Sequence, residues 1–423
     1  MKKITFLYFL LIIFSCTKEN INSIDEKNVI NDYYETTGTF SNIQYLIDIA
    51  KPGNTIHLLS NTIYIQDHSL VLKDGIIING HGATLKRNAQ QTTTLINSVD
   101  EKGISISVQK VPNAWKVGDY LQIYSDNSFL TSSYKSEIII KNIVGNTIYF
   151  LHPIGRAAAF VTWTWDIGSI VRKVYPQITS IRSQDLFTVP TTWTLKNLVL
   201  DGNKIFNEGN LYWGVNMAIA NNGRSMILNC RFLNMPNETI VGSGFSIKES
   251  YAENLNGSFY HQSADFIIGN IILGGEISNN IIKNSNIISS MKLTGHSEGV
   301  ITFSYTSGRV KINNNKFLGG GESVLGNILY SNDLSNGSLR DFIFKNNYCE
   351  NYKKIINWFW HSEVDLVYNV ENVYISENTF SNCGIDDWVN YSPQINRFGV
   401  FKFKSNIFLN GTNILNIPLK MLE

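Results

Sequence analysis

The hexapeptide INNNKF at residues 312–317 returns as FKNNYC at 344–349, as ISENTF at 375–380 and as FKSNIF at 403–408. Each copy opens on an apolar residue, carries Asn in its fourth place and closes on an apolar one. Related segments precede them: LKNLV (195–199), ILNCRF (227–232), IKESYA (247–252) and ISNNII (277–282). The recurring polar place falls at Asn197, Cys230, Ser250, Asn280, Asn315, Asn347, Asn378 and Asn406, with steps of 33, 20, 30, 35, 32, 31 and 28 residues. Between the copies stand short β-type runs broken by Asn, Gly and Ser.

A period near 30 with strands and no helical pattern predicts a parallel β-helix, in which each coil buries its apolar face only by stacking on the next. Side chains alternate along each strand. One Asn per coil then stacks into a ladder, and Asn also tolerates the left-handed backbone of a sharp corner. The 20-residue step leaves a β-sandwich with Asn-rich turns as the alternative. Composition agrees with strands and turns: 423 residues, 51 Asn with 36 of them between 201 and 416, 31 Gly and 8 Pro. Charge is sparse at 16%, below the usual quarter, and balanced at 35 basic against 34 acidic residues. The chain is too apolar for disorder, and no large basic excess marks a nucleic-acid binder.

The N-terminal segment reads as an address. Lys2 and Lys3 precede a nearly all-apolar run from Ile4 to Phe14, too short to span a bilayer, and Ser15-Cys16 follows. The ending I-F-S-C resembles a bacterial lipobox, which implies that residues 1–15 are a lipoprotein signal peptide and that Cys16 is lipidated. Removing 1–15 leaves 33 basic residues against 34 acidic ones. Residues 16–35 are polar and suit a tether. Thr17, rather than Asp, follows Cys16; by analogy with bacterial sorting this implies the outer membrane of a Gram-negative cell, on either face. Cys230, Cys349 and Cys383 are an odd set without a disulfide framework, and each reads as a small buried residue in a strand.

Residues 36–97 read as a cap and first coils. Ser41 is placed to cap a helix whose apolar residues Ile43, Leu46, Ile47 and Ile49 share a face, Pro52-Gly53 stops it, and a strand follows at Thr55–Leu59. A solenoid needs its open end covered, and this helix suits the task. AKPGNTIHL (50–58) and IIINGHGATL (76–85) resemble the opening of pectin-lyase-like right-handed β-helix proteins. With the Asn-bearing repeats the resemblance covers 38–90 and 190–418. It implies an all-β solenoid with coils over 188–418 and, over 98–187, a small β-rich insertion (WKVGDYLQIY, IIIKNIVGNTIYFLHPI) like that of some relatives. It implies no one activity, because the superfamily holds lyases, hydrolases, epimerases, tailspikes and adhesins. Of its hydrolase signature only Gly80-His81-Gly82 matches, in the first coil and ahead of the insertion. Asp386-Asp387 sits late, and no calcium cluster of the pectate-lyase type or epimerase motif is present.

Position singles out the remaining candidates. His261 follows Ser250 by 11 residues, with Asp265 beyond it; His296 follows Asn280 by 16, with Glu298; Tyr330 follows Asn315 by 15, with Asp333; His361 follows Asn347 by 14, with Glu363. Coils about 4.8 Å apart would set these in a column on one flank. His and Tyr can pass protons, and carboxylates can act as acid and base or hold a cation such as calcium. Trp213, Trp358 and Trp360 offer flat faces to sugar rings. For elimination, Lys292, Arg309, His261 and His296 could serve as base and as cation facing a uronate. Each also has a plainer reading as a turn or core residue. Two functions stand: an envelope-anchored polysaccharide lyase or glycoside hydrolase, and a non-catalytic glycan-binding or adhesive β-helix. Both take a polysaccharide as partner, touch a membrane only through the N-terminal lipid and engage no nucleic acid.

Overall fold

A computed structural model describes residues 32–124, 138–154, 164–180, 191–206, 218–262, 274–285, 299–303, 307–319, 323–326, 338–356, 369–384, 397–398 and 400–412. Three long parallel sheets run through it, each built mainly from one strand per coil. The first contains Thr55–His57, Ile77–Asn79, Thr194–Lys196 and their successors to Phe401–Lys404; the second runs from Ile63–Gln66 to Ile407–Leu409; the third runs from Leu70–Val71 to Lys354–Ile356. The chain visits them in that order and then steps up one coil. Such crossovers between parallel neighbours are right-handed, and the fold is a right-handed parallel β-helix.

The alternation of the strands fills its interior. In the first sheet Leu195, Ile227, Ile247, Ile277, Ile312, Phe344, Ile375 and Phe403 stack inward in register, and all belong to the main core. Near the C-terminal end the core becomes a pile of rings, with Phe380 within 6.3 Å of Phe403 and 5.9 Å of Phe408.

The corner between the first and second sheets explains the repeat. Asn280, Asn315, Asn347 and Asn378 are buried inside it. Each donates through Nδ2 to the Oδ1 of the next Asn at 2.9–3.0 Å, ending on Asn406. Each Oδ1 also accepts the backbone N–H of the residue one coil earlier, and Ser250 and Cys230 continue the line. The residue just ahead of each is left-handed, with φ near +50 to +60° at Asn229, Asn279, Asn314 and Asn346. Asn197 belongs to this outer set, at φ +56°, and Leu198 takes the inner place. The alignment of Asn197 with the inner ladder is therefore corrected by one residue. Thirteen of the nineteen non-glycine residues described with positive φ are Asn, the side chain that best tolerates that backbone.

The helix spans Phe40–Ile49 and buries Phe40, Ile43, Leu46 and Ile47. Two expectations fail here. Thr39, not Ser41, is the N-cap residue, without a side-chain capping bond. Ile49 is exposed, because it lies a half-turn off the buried stripe. Glu35 ties the segment that enters the helix. Its carboxylate accepts from Thr37 N and Oγ1 at 2.6 Å, Tyr64 Oη at 2.5 Å and Asn42 Nδ2 at 3.1 Å. Burial works to raise its pKa, but the bonds from Thr37, Tyr64 and Asn42 outweigh it and hold the carboxyl at about 2. A group depressed this way adds stability above its unfolded pKa of roughly 4.5 that is lost as pH falls through about 2. Glu35→Gln should remove up to about 3 kcal/mol at neutral pH. Urea melts at pH 7 and pH 2 check this: the wild type and the variant should differ at pH 7 and converge toward pH 2.

Between the second and third strands of the second coil the chain leaves the helix. An antiparallel six-stranded sheet runs from Thr92–Thr94 to Ile170–Val174 and closes on its own apolar cluster around Trp115 and Trp165. Where it rejoins the coils, Arg87 Nη1 donates to the Tyr175 carbonyl at 2.7 Å, Arg172 Nε donates to Gln122 at 2.7 Å, and Lys173 pairs with Asp119 at 2.9 Å. Cys230, Cys349 and Cys383 are buried free thiols. Only Cys349 lies within a strand; the other two sit at corners. Among the described residues no helix is long and apolar enough to cross a membrane.

Candidate functional site

The third sheet carries the site. Its inward column, Ile178, Ile219, Ile240, Tyr260, Ile301 and Leu325, packs in the core. The next residue of each strand points the other way, giving Thr179, Ala220, Val241, His261 and Thr302 in register. Ala220 and Val241 form a small cluster apart from the main core, which places this column on the outward face. His261 is thus an outward residue. It is nonetheless only 3% exposed.

Its partner is Glu238, 2% exposed, whose Oε1 meets His261 Nδ1 in a short hydrogen bond. Glu238 lies in the turn that leads into Ile240–Ser243, one coil before His261. Gly257 lets the two turns touch: a Cβ there would stand 2.6 Å from the Glu238 nitrogen. Polar groups belong to the same and the adjoining strands. Ser258 Oγ and Thr302 Oγ1 are 2.7 Å apart, and Thr302 also binds the backbone of Gly299 at 2.9 and 3.1 Å. Thr239, Ser243, Asn256 and Gln262 are buried close by in sequence. Thr239 Oγ1 and Asn256 Oδ1 have no hydrogen-bond partner among the described residues. A buried polar atom left unmatched is costly.

The chemistry follows from the tautomer. A carboxylate at Nδ1 accepts that N–H and leaves Nε2 as the nitrogen that takes or gives a proton. It also stabilises the imidazolium formed on the way, as in an acid–histidine relay. Burial strengthens that hydrogen bond, because a low local dielectric favours it and water does not compete for it.

Of the residues marked in the sequence, the structure describes two. His261 lies in the third sheet as stated. Arg309 stands exposed and left-handed, φ +53°, at a break within the first sheet between Ser307–Gly308 and Val310–Asn313. Asp265, His296, Glu298, Lys292, Trp213, Tyr330, Asp333, Trp358, Trp360, His361 and Glu363 lie outside the described residues, as does Cys16. Among the described residues no group of three or more His, Cys, Asp and Glu is placed to hold a metal ion. Gly80-His81-Gly82 lies at a corner of the second coil, where His81 Nε2 is 2.8 Å from His57 Nδ1 and His57 Nε2 is 3.3 Å from Asp32. Sequence reading missed Glu238. One signal could have found it: Glu238 and Ser258 each stand two residues before an apolar strand start, Ile240 and Tyr260, that the coils align.

No family model matches the chain, and no curated protein matches it. Solved structures do. A polygalacturonase from Erwinia carotovora ssp. carotovora is similar at a TM-score of 0.48 and 12% identity, over 92% of this chain and 96% of that one. XylC, in a complex with xylose, gives 0.40 and 10% over 90% and 70%. A family 28 exopolygalacturonase from Yersinia enterocolitica gives 0.39 and 10% over 92% and 67%.

Proposed function

We propose that this chain acts on a polymeric glycan along the outward face of the third sheet, with His261 moving the proton and Glu238 holding it in the correct tautomer. The observation that carries this reading is the buried carboxylate–imidazole pair on an outward-facing column, with Thr302 next in register. Breaking a glycosidic bond by elimination needs a base at the sugar carbon beside the carboxylate. Hydrolysis needs an acid and a base or nucleophile. A histidine backed by a carboxylate serves as base in the first and as acid in the second. The reading also places the chain at the cell envelope, tethered through a lipid on Cys16 by residues 16–35. Loss of labelled-palmitate incorporation in Cys16→Ala tests that part.

One observation favours a second reading, a glycan-binding β-helix without catalysis: both members of the pair are almost fully buried, as a purely structural ion pair would be.

A turnover screen separates them. The protein is incubated with uronic-acid and neutral polysaccharides, with and without calcium. New reducing ends and the ultraviolet absorbance of unsaturated uronate are read together. Both rising identifies a lyase; reducing ends alone identify a hydrolase. In either case His261→Gln should lose the signal while the polymer is still bound. Silence across the panel with binding retained establishes the second reading.

A further inference from the structure

The outward face of the first sheet, a side of the coil that His261 does not touch, has its own chemistry. Parallel register lines up Lys196, Leu228, Lys248, Ser278, Asn313, Lys345, Ser376 and Lys404 in one column. Beside it run Thr194, Met226, Ser246, Glu276, Lys311, Ile343, Tyr374 and Lys402. Six lysines thus stand over these two columns against one carboxylate. The adjoining corner adds Glu249 and Glu377. Lys248 binds Glu276 at 2.7 Å and Lys345 binds Glu377 at 3.1 Å. The hydrogen bond from Lys248 holds the Glu276 carboxyl below its usual range, and Lys311 adds to the effect. Lys196, Lys311, Lys402 and Lys404 form no ion pair among the described residues.

The second sheet, built the same way, is an internal contrast. Its outward columns carry Lys86, Arg231, Lys283 and Lys316 against Asp201, Glu253 and Glu350, close to balance. Of these two faces, the first carries the larger excess of cations among the described residues. It follows the helix axis over eight coils, roughly 34 Å at ~4.8 Å per coil.

We propose that this face is a docking strip for a polyanionic glycan, laid along the axis with its acidic groups over the lysines. Opposite fields attract such a chain before contact and fix its direction. A narrow line of cations, one or two wide, matches a charged polymer with an acidic group on every sugar better than it matches a flat anionic membrane. Binding here needs no turnover at His261, so this surface stands or falls apart from the proposed catalytic reading.

The test uses the purified full chain in affinity electrophoresis through alginate, a polyuronate, with neutral dextran as control. Alginate should retard the wild type and dextran should not. The retardation should fade between about 0.05 and 0.5 M salt as screening shortens to a few ångströms. The triple variant Lys311→Glu, Lys402→Glu, Lys404→Glu should bind alginate at least ten times more weakly. The second-sheet variant Lys283→Glu, Lys316→Glu should bind within twofold of wild type. Lysine acetylation of the wild-type chain, read by mass spectrometry, makes the test independent of variant folding: alginate should protect Lys311, Lys402 and Lys404 and leave Lys283 and Lys316 reactive. Absence of retardation, equal loss in both variants or equal protection of both faces overturns the proposal. So does binding to phosphatidylglycerol vesicles, but not to alginate, that the triple variant abolishes.

Discussion

Asn315→Ala should lower the stability of the chain by about 3–5 kcal/mol, read as the shift of a urea melt. The side chain is 1% exposed and makes five hydrogen bonds. Nδ2 donates to the carbonyls of Ile277 at 2.9 Å and Asn313 at 3.0 Å and to Asn347 Oδ1 at 3.0 Å. Oδ1 accepts from Asn280 N at 3.0 Å and Asn280 Nδ2 at 2.9 Å. Alanine removes these bonds while the groups on the neighbouring coils stay in place. Asn280 Nδ2 keeps the Ile247 carbonyl, and Asn347 Oδ1 keeps the Asn315 N–H. The Asn280 N–H and the Ile277 carbonyl lose the bonds that Asn315 gave them, and each such buried loss costs about 1–3 kcal/mol. Asn406→Ala, at the partly exposed end of the ladder, should cost about 1–2 kcal/mol, because water can reach what it leaves. Equal effects at both positions would mean that burial does not govern the ladder.

The second large effect is at Glu238. Alanine there leaves His261 in a site closed to water without its carboxylate, a change that costs about 3–5 kcal/mol when a buried pair loses one member. Turnover should fall by roughly 10²–10⁴ with it. Glu238→Gln separates the two consequences. Its amide oxygen can still accept the Nδ1–H, so the fold should stay near wild type, while the imidazolium loses its counter-charge and turnover falls. The double variant with His261→Ala completes a cycle, and its coupling energy should be well above the few tenths expected of independent sites. Turnover at wild-type level in Glu238→Gln would remove His261 from the proton path and leave the pair a structural role.

Much of the coil was open to reading in one dimension. The Asn at 280, 315, 347, 378 and 406 announced the ladder, because a corner of fixed shape asks for the same residue each time it returns. Leu46 and Ile47 announced the cap through their helical spacing. Where two neighbours compete for one role, the string is ambiguous. In LKNLV either Asn197 or Leu198 could face inward, and only the left-handed backbone at Asn197 decides it. The same holds for Thr39 and Ser41, two hydroxyl residues at one helix start.

The candidate site was legible by half. His261 drew notice as one of three histidines that follow the ladder position of their coils by 11 to 16 residues. Its partner is 23 residues away, and the steps between coils range from 20 to 35 residues, so no spacing rule predicts which turn meets which strand. The lysine columns were hidden for the same reason: Lys196 and Lys404 share a line only once every coil between them has been set in register.

The amino-acid sequence by itself determined the stacking period, the Asn-bearing corners and the N-terminal cap, since these depend on local backbone preference and on the alternation of apolar side chains. Tertiary structure alone decided that Glu238 meets His261, that Leu198 and not Asn197 lines the interior, and that six lysines gather on one face. Those outcomes depend on parallel hydrogen bonding between coils of unequal length, which brings distant residues together according to register and not according to their separation along the chain.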